Sequence, residues 1–180
     1  MTGQVKEEIL TRFAELGVVP SMQATHATSD KNMAEDRIGP VRIQGAYAWR
    51  KLMNSGARIA NGSDFPVEHP NPFYGLHASV TRQDQQNEPP GGWYSEENMT
   101  LIEALASFTI DAAYAGHQED ELGSLEPGKK ADFVVVAENP LANFQVLYGT
   151  GHFRLDDDNR RIRTQGVRYT IKDGIIYDAE

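Results

Sequence analysis

Two places in the chain put reactive side chains directly behind a short β-prone run. The first is His26, with Gln23 and Thr25 beside it, after Gly17-Val-Val-Pro-Ser-Met-Gln23. The second is Asp64 in Gly62-Ser-Asp-Phe-Pro66, after Ala57-Arg-Ile-Ala-Asn61, with Glu68 and His69 just downstream. The C-terminal ends of parallel strands are where α/β folds and barrels collect catalytic groups. A carboxylate there, behind a glycine that permits close backbone approach, can bind a divalent ion and take a proton from water bound to it. Each residue also has an ordinary reading. A histidine behind a strand serves as a hydrogen-bonded loop residue, and an aspartate in a Gly-Ser-Asp turn as a helix cap or Asx-turn. His69, His77, His117 and His152 read as structural or exposed. The chain has no His-x-His, no His-Glu-x-x-His, no phosphate-cradling glycine loop and no nucleophile elbow.

The elements that must position these groups follow from periodicity. Val5, Ile9, Phe13 and Leu16 recur at helical spacing opposite Lys6, Glu7, Glu8 and Arg12, and Gly17 stops the helix. Strand Gly17–Gln23 follows, and Ala24–Asp30 is polar and loop-like. Pro40 to Asn54 is helical again, with Pro40 in its first turn and Gly56 past its end. A second short strand, Ala57–Asn61, completes the order helix, strand, helix, strand, which marks a βαβ unit with a parallel sheet. Tyr74 to Arg82 reads as a short helix. Gln83 to Tyr94, rich in Pro and Gly, reads as an exposed excursion whose Trp93 and Tyr94 either line an entrance or pack under the loop. Thr100-Leu-Ile-Glu103 is a capping box, and a helix runs from it to Gly116. Turn chemistry at Leu122–Gly128 then leads to a strand at Ala131–Val136, and Asp-Gly between Tyr169–Ile171 and Ile175–Tyr177 signals a hairpin. Asp156–Arg161 reads as a solvated loop.

Composition removes whole classes of function. The chain has 180 residues, 26 acidic against 17 basic side chains, a net charge of −9 and no cysteine. Disulfide scaffolds, thiolate metal sites and thiol chemistry are therefore out, and any metal must sit on His and carboxylates. The acidic balance argues against nucleic acid or an anionic membrane as partner. No apolar run approaches the ~20 residues needed to span a bilayer. The first residues, MTGQVKEEIL, lack a signal-peptide core, so cytoplasmic is the default location.

Four stretches together resemble the amidohydrolase family 3 branch of metal-dependent amidohydrolases, which includes N-substituted formamide deformylases. They are Leu16-Gly-Val-Val-Pro-Ser-Met-Gln-Ala-Thr-His-Ala-Thr-Ser-Asp30, Gly62-Ser-Asp-Phe-Pro-Val-Glu68, Ala78-Ser-Val-Thr-Arg82 and Gly123-Ser-Leu-Glu-Pro-Gly-Lys-Lys-Ala-Asp-Phe-Val-Val136, in the family's order. The resemblance implies an α/β fold: the C-terminal part of a (β/α)8 TIM-type barrel over residues 1–121, then strands of a small composite β-sandwich over 122–180. Val18–Gln23 would be the seventh barrel strand and Arg58–Asn61 the eighth. The implied activity is hydrolysis of a non-peptide C–N bond in a small amide-type substrate, using metal-activated water. Asp64 aligns with the family's metal ligand and general base, His26 with a substrate-side hydrogen-bond donor, and Gln23 and Ser63 lie on the substrate side. Many members read Gln-Pro-Thr-His where this chain has Gln23-Ala24-Thr25-His26.

The family's other metal ligands lie on earlier strands, ahead of anything in these residues. The resemblance therefore implies a C-terminal fragment, inactive alone, that does not retain the zinc of its parent. The alternative is a stable non-catalytic module for interaction or oligomerisation, since two strands of a barrel leave open edges that favour self-association.

Overall fold

The computed structural model describes residues 7–130, 132–140, 144–147, 152–172 and 175–178. They fall into two compact units, Met1–Gly123 and Ser124–Glu180. The first unit holds α1 (Glu7–Glu15), β1 (Ser21–Met22), α2 (Ala24–Asp30), α3 (Ala34–Arg42), α4 (Trp49–Asn54), β2 (Ala60–Asn61), α5 (Pro72–Thr81), α6 (Leu101–Phe108) and α7 (Ile110–Ala115). The start of the expected first helix, Val5 and Lys6, lies outside the described residues. Strands β1 and β2 pair in parallel, Ser21 with Ala60 and Met22 with Asn61. Backbone bonds from Ala60 N to the Pro20 carbonyl and from Gly62 N to the Met22 carbonyl, each 3.1 Å, extend that short ladder.

Helices enclose the pair. Ile59 and Ala60 of the second strand region are buried with Trp49, Leu52, Leu76 and Ala104. Helix α5 begins well: Pro72 stands in the first turn, where it lacks nothing a helix needs, and the Asn71 side chain accepts from Phe73 N at 3.0 Å. Its Gly75 lies under the Phe108 ring of α6, where a Cβ would come within 2.4 Å of the ring edge, so glycine sets the spacing of the two helices.

Three sequence expectations are corrected. Ala24–Asp30 is a helix rather than a loop, because Ala24, Thr25, Ala27 and Thr28 form a buried face of small side chains against α5, and packing outweighs weak helix propensity. The single helix expected over Pro40–Asn54 is broken. Gly39 sits at φ +80° before Pro40, which disfavours a helical predecessor, and Tyr47 turns the chain at φ +52° before α4. The expected helix after Thr100 also divides at Thr109, with the capping box formed as the sequence predicts.

The second unit is mainly β. Strand β3 (Phe133–Val136) pairs antiparallel with β6 (Val167–Lys172), which pairs with β7 (Ile175–Asp178); β4 (His152–Leu155) and β5 (Arg161–Thr164) form a separate hairpin. Ala131 of the expected strand and the Asp173-Gly174 hairpin tip lie outside the described residues. The run expected as a solvated loop at Asp156–Arg161 is largely the β4–β5 turn, where the Asp156 carboxylate accepts from the backbone of Asp158 and Arg160. Gly166 packs so closely on Val146 that a Cβ would lie 1.8 Å from its carbonyl oxygen.

Candidate functional site

His26 stands in the first turn of α2, directly behind β1, and Asp64 three residues behind β2. Parallel pairing of the two strands brings them together: His26 Nε2 lies 3.5 Å from Asp64 Oδ2. That separation is ion-pair range, yet Nε2 makes no hydrogen bond and is itself buried. The Asp64 side chain is 48% exposed and the His26 side chain 27%, so a carboxylate open to solvent faces a sheltered imidazole nitrogen. Asp64 holds φ +56°, a left-handed conformation that aspartate tolerates better than most residues.

The other two sequence candidates are occupied differently. Ser63 Oγ accepts from Phe65 N at 3.3 Å and so shapes the Asp64 turn. Gln23 links β1 to α2 and donates through Nε2 to Ser21 Oγ at 3.4 Å. The Gln23 carbonyl also accepts from His26 N at 3.1 Å, so Gln23 fixes the backbone of His26, while among the described residues no hydrogen bond or ion pair runs from its side chain or that of Ser63 to the His26 or Asp64 side chain. His69 accepts from Asn71 N at its Nδ1 and stacks on Tyr74, which is structural work.

Two further groups belong to the same end of the sheet: Thr25, noted beside His26 but given no role, and Asn61, which sequence reading passed over. Thr25, 8% exposed, leaves its hydroxyl without a partner, and Asn61, also 8% exposed, donates to Ser107 Oγ at 2.8 Å while its Oδ1 has none. Buried polar atoms without partners are uncommon and call for a reason. The signal for both was position alone: Thr25 precedes His26, and Asn61 ends β2. His77, expected to be structural or exposed, is buried; burial pushes its imidazole below the ordinary histidine range, against the bond to Asn87 Oδ1 at 3.1 Å.

A catalytic zinc ordinarily takes three protein ligands. His26 and Asp64 offer two donor atoms, and among the described residues no three His, Cys, Asp or Glu side chains gather closely enough to hold an ion. These residues do not by themselves fit a complete metal centre. Among the described residues no helix is long and apolar enough to cross a membrane.

Comparison with known proteins gives the site its context. A family model described as the amidohydrolase family matches residues 2–177. The protein LONG AFTER FAR-RED 3 of Arabidopsis thaliana is 34% identical over 134 residues, 74% of this chain and 23% of that protein. N-substituted formamide deformylase of Arthrobacter pascens is 30% identical over 92 residues, 51% of this chain and 16% of that enzyme. Among solved structures, an uncharacterised metal-dependent hydrolase of Pyrococcus horikoshii matches at TM-score 0.65 and 26% identity, covering 78% of this chain and 28% of its own. The chain thus spans between 16% and 28% of the length of these relatives.

Proposed function

Because the chain belongs to the amidohydrolase family, we propose that it forms the C-terminal part of a metal-dependent hydrolase that cleaves a non-peptide C–N bond in a small amide-type substrate. The observation that carries this reading is the meeting of His26 and Asp64, at 3.5 Å, from the C-terminal ends of two adjacent parallel strands. Residues 1–121 then supply the last two strands and helices of a (β/α)8 barrel, and residues 122–180 strands of a small β-sandwich. The likeness to N-substituted formamide deformylase supports the choice of bond.

In this reading the Asp64 carboxylate takes a proton from the water that attacks the amide carbon, then delivers it to the nitrogen as the C–N bond breaks. His26 donates to the carbonyl oxygen, where negative charge develops. Gln23 leads into the helix that carries His26, and Ser63 shapes the turn that carries Asp64. A divalent ion, zinc by family habit, would supply Lewis-acid chemistry, with Asp64 as this chain's ligand and the remaining ligands from residues outside these 180. Leu16 and Val18, 62% and 47% exposed beside β1, mark the sheet edge that the missing strands, or a second copy of the chain, would cover.

The test is direct. The purified 180-residue chain, loaded with zinc and passed through a desalting column, is expected to retain less than about a tenth of an equivalent, since one or two ligands hold zinc weakly. It is expected to show no hydrolysis of N-formyl amines. Stoichiometric zinc with turnover would overturn the fragment reading.

A further inference from the structure

Helix α2, which carries His26, and the segment that follows Asp64 also wall a second feature. A cleft of about 310 Å³ lies between α2, the start of α5 and the segment after it, lined by Thr25, Lys31, Glu68, Tyr74, His77 and Gln83 among others. Its volume is at the lower end of small-molecule sites. The lining is almost wholly hydroxyl, amide and ionisable groups, which does not suit an aromatic or alkyl substituent.

The charges in this cleft are already assigned. Lys31, its one lysine or arginine, is bound by the Asp84 carboxylate and donates to the Glu88 carbonyl at 2.8 Å, and its side chain is only 10% exposed. Burial opposes ionisation of Asp84, but the bonds from Lys31 and from the backbone amides of Glu88 and Gln86 outweigh it and keep the carboxyl below its ordinary range. Burial lowers the His77 pKa and so disfavours its charged form. Glu68 is left as the uncompensated charge. An incoming carboxylate would meet no free cation and one standing anion, whereas a neutral amide finds donors and acceptors. The Thr25 hydroxyl, more than nine-tenths buried and without a partner, is the buried lining group whose hydrogen bonding is unspent.

We propose that this cleft is the recognition subsite for the part of the substrate remote from the scissile bond, and that it takes a small uncharged carboxamide-type group and rejects a carboxylate. The inference rests on the hydrolase reading for the word substrate, but the binding itself does not need turnover. Helix α2 joins the two functions, with His26 beside the reacting bond and Thr25 in the cleft.

The experiment is an NMR titration of the 180-residue chain with N-acetylglycinamide and, separately, with N-acetylglycinate, a probe of nearly the same size that carries a negative charge. The amide is expected to shift the Thr25 and His77 resonances saturably, and the carboxylate to bind at least fivefold more weakly. Thr25→Val is expected to weaken amide binding three- to tenfold. Glu68→Gln, at a less buried position and so a safer variant for folding, should narrow the preference for amide over carboxylate at least threefold. Equal binding of the two probes, or unchanged binding in both variants, would overturn the subsite while leaving the hydrolase reading intact. Failure of the hydrolase reading shows elsewhere, as full turnover in an Asp64 variant of a longer protein.

Discussion

The two ends of the short parallel sheet in the first unit are built on opposite terms. At the entry to β2, Arg50 grips both carboxylate oxygens of Glu103 at 2.8 and 2.5 Å and also donates to the Asn98 carbonyl, while Glu103 closes the capping box of α6. Arg58 pairs with Asp111 at 3.3 Å nearby. At the exit, Thr25 Oγ1, His26 Nε2 and Asn61 Oδ1 are buried without hydrogen bonds, and Asp64 stands in a left-handed turn. Beside Arg50, Trp49 Nε1 and Asn98 Oδ1 are also buried without partners, but the charges there are matched. Unspent polar atoms cost stability, so the end that keeps three of them fits the proposed site, and the end that pairs its charges fits a role in holding the fold.

The largest effect that tests this division is at Asp64. In a longer protein of the proposed kind, Asp64→Asn is expected to lower turnover by about 10²–10⁴, the range for loss of a general base. Its side chain is half exposed and makes no hydrogen bond that the fold needs, so thermal unfolding of the 180-residue chain should not shift. Lost stability with retained turnover would reverse the assignment of the two ends.

The contrast between the ends also explains what could be read without the structure. The capping box at Thr100 and Glu103 is a local pattern and was legible, as were the strand-end positions of His26 and Asp64. Helix α2 was not, because Ala-Thr-His-Ala-Thr-Ser-Asp is a poor helix former that packing against α5 stabilises. The segment Gln83–Tyr94, expected as an exposed excursion, is tied down by Arg82. Arg82 is 1% exposed, and its guanidinium lies 4.2 Å over Trp49 and 5.3 Å from Trp93 and donates to the carbonyls of Tyr47 and Trp93. Burial pulls its pKa down to about 10, which still leaves it charged at neutral pH. Partners 35 residues upstream and 11 downstream leave no periodic trace. The cleft was missed for the same reason: Thr25, Glu68 and His77 converge only through tertiary packing.

A smaller effect is expected at the entry end. The Arg50 hydrogen bonds hold the Glu103 carboxyl at about 2, against burial that acts the other way. A carboxyl held below its unfolded value of 4.5 contributes stability that is full above pH 4.5 and is lost as pH falls toward 2. Glu103→Ala removes the ion pair and the cap together and should cost about 2 kcal/mol in urea unfolding at pH 7. Glu103→Gln should flatten the loss of stability between pH 4.5 and 2. An unchanged acid limb would show that the pair does not hold this end.

The smallest effect separates two ion pairs that a contact map would rank alike. Asp111, like Glu103, faces an arginine, but its carboxyl is raised above the ordinary range because burial outweighs the attraction of Arg58. The Arg58 guanidinium also lies 4.1 Å over the Tyr114 ring, so part of its interaction goes to the ring face. A carboxyl raised on folding favours the folded state only when protonated. Its ionised form therefore works against stability above the unfolded pKa, and more so as pH rises through the folded one. Asp111→Asn should be neutral or stabilising at pH 7, by less than about 1 kcal/mol. The gain should vanish below pH 3.8, where the carboxyl is protonated in both states. A loss at Asp111 as large as that at Glu103 would mean that proximity alone governs these pairs. A gain would show that the entry end is held by the Arg50–Glu103 hydrogen bonds, with the Arg58–Asp111 pair adding nothing.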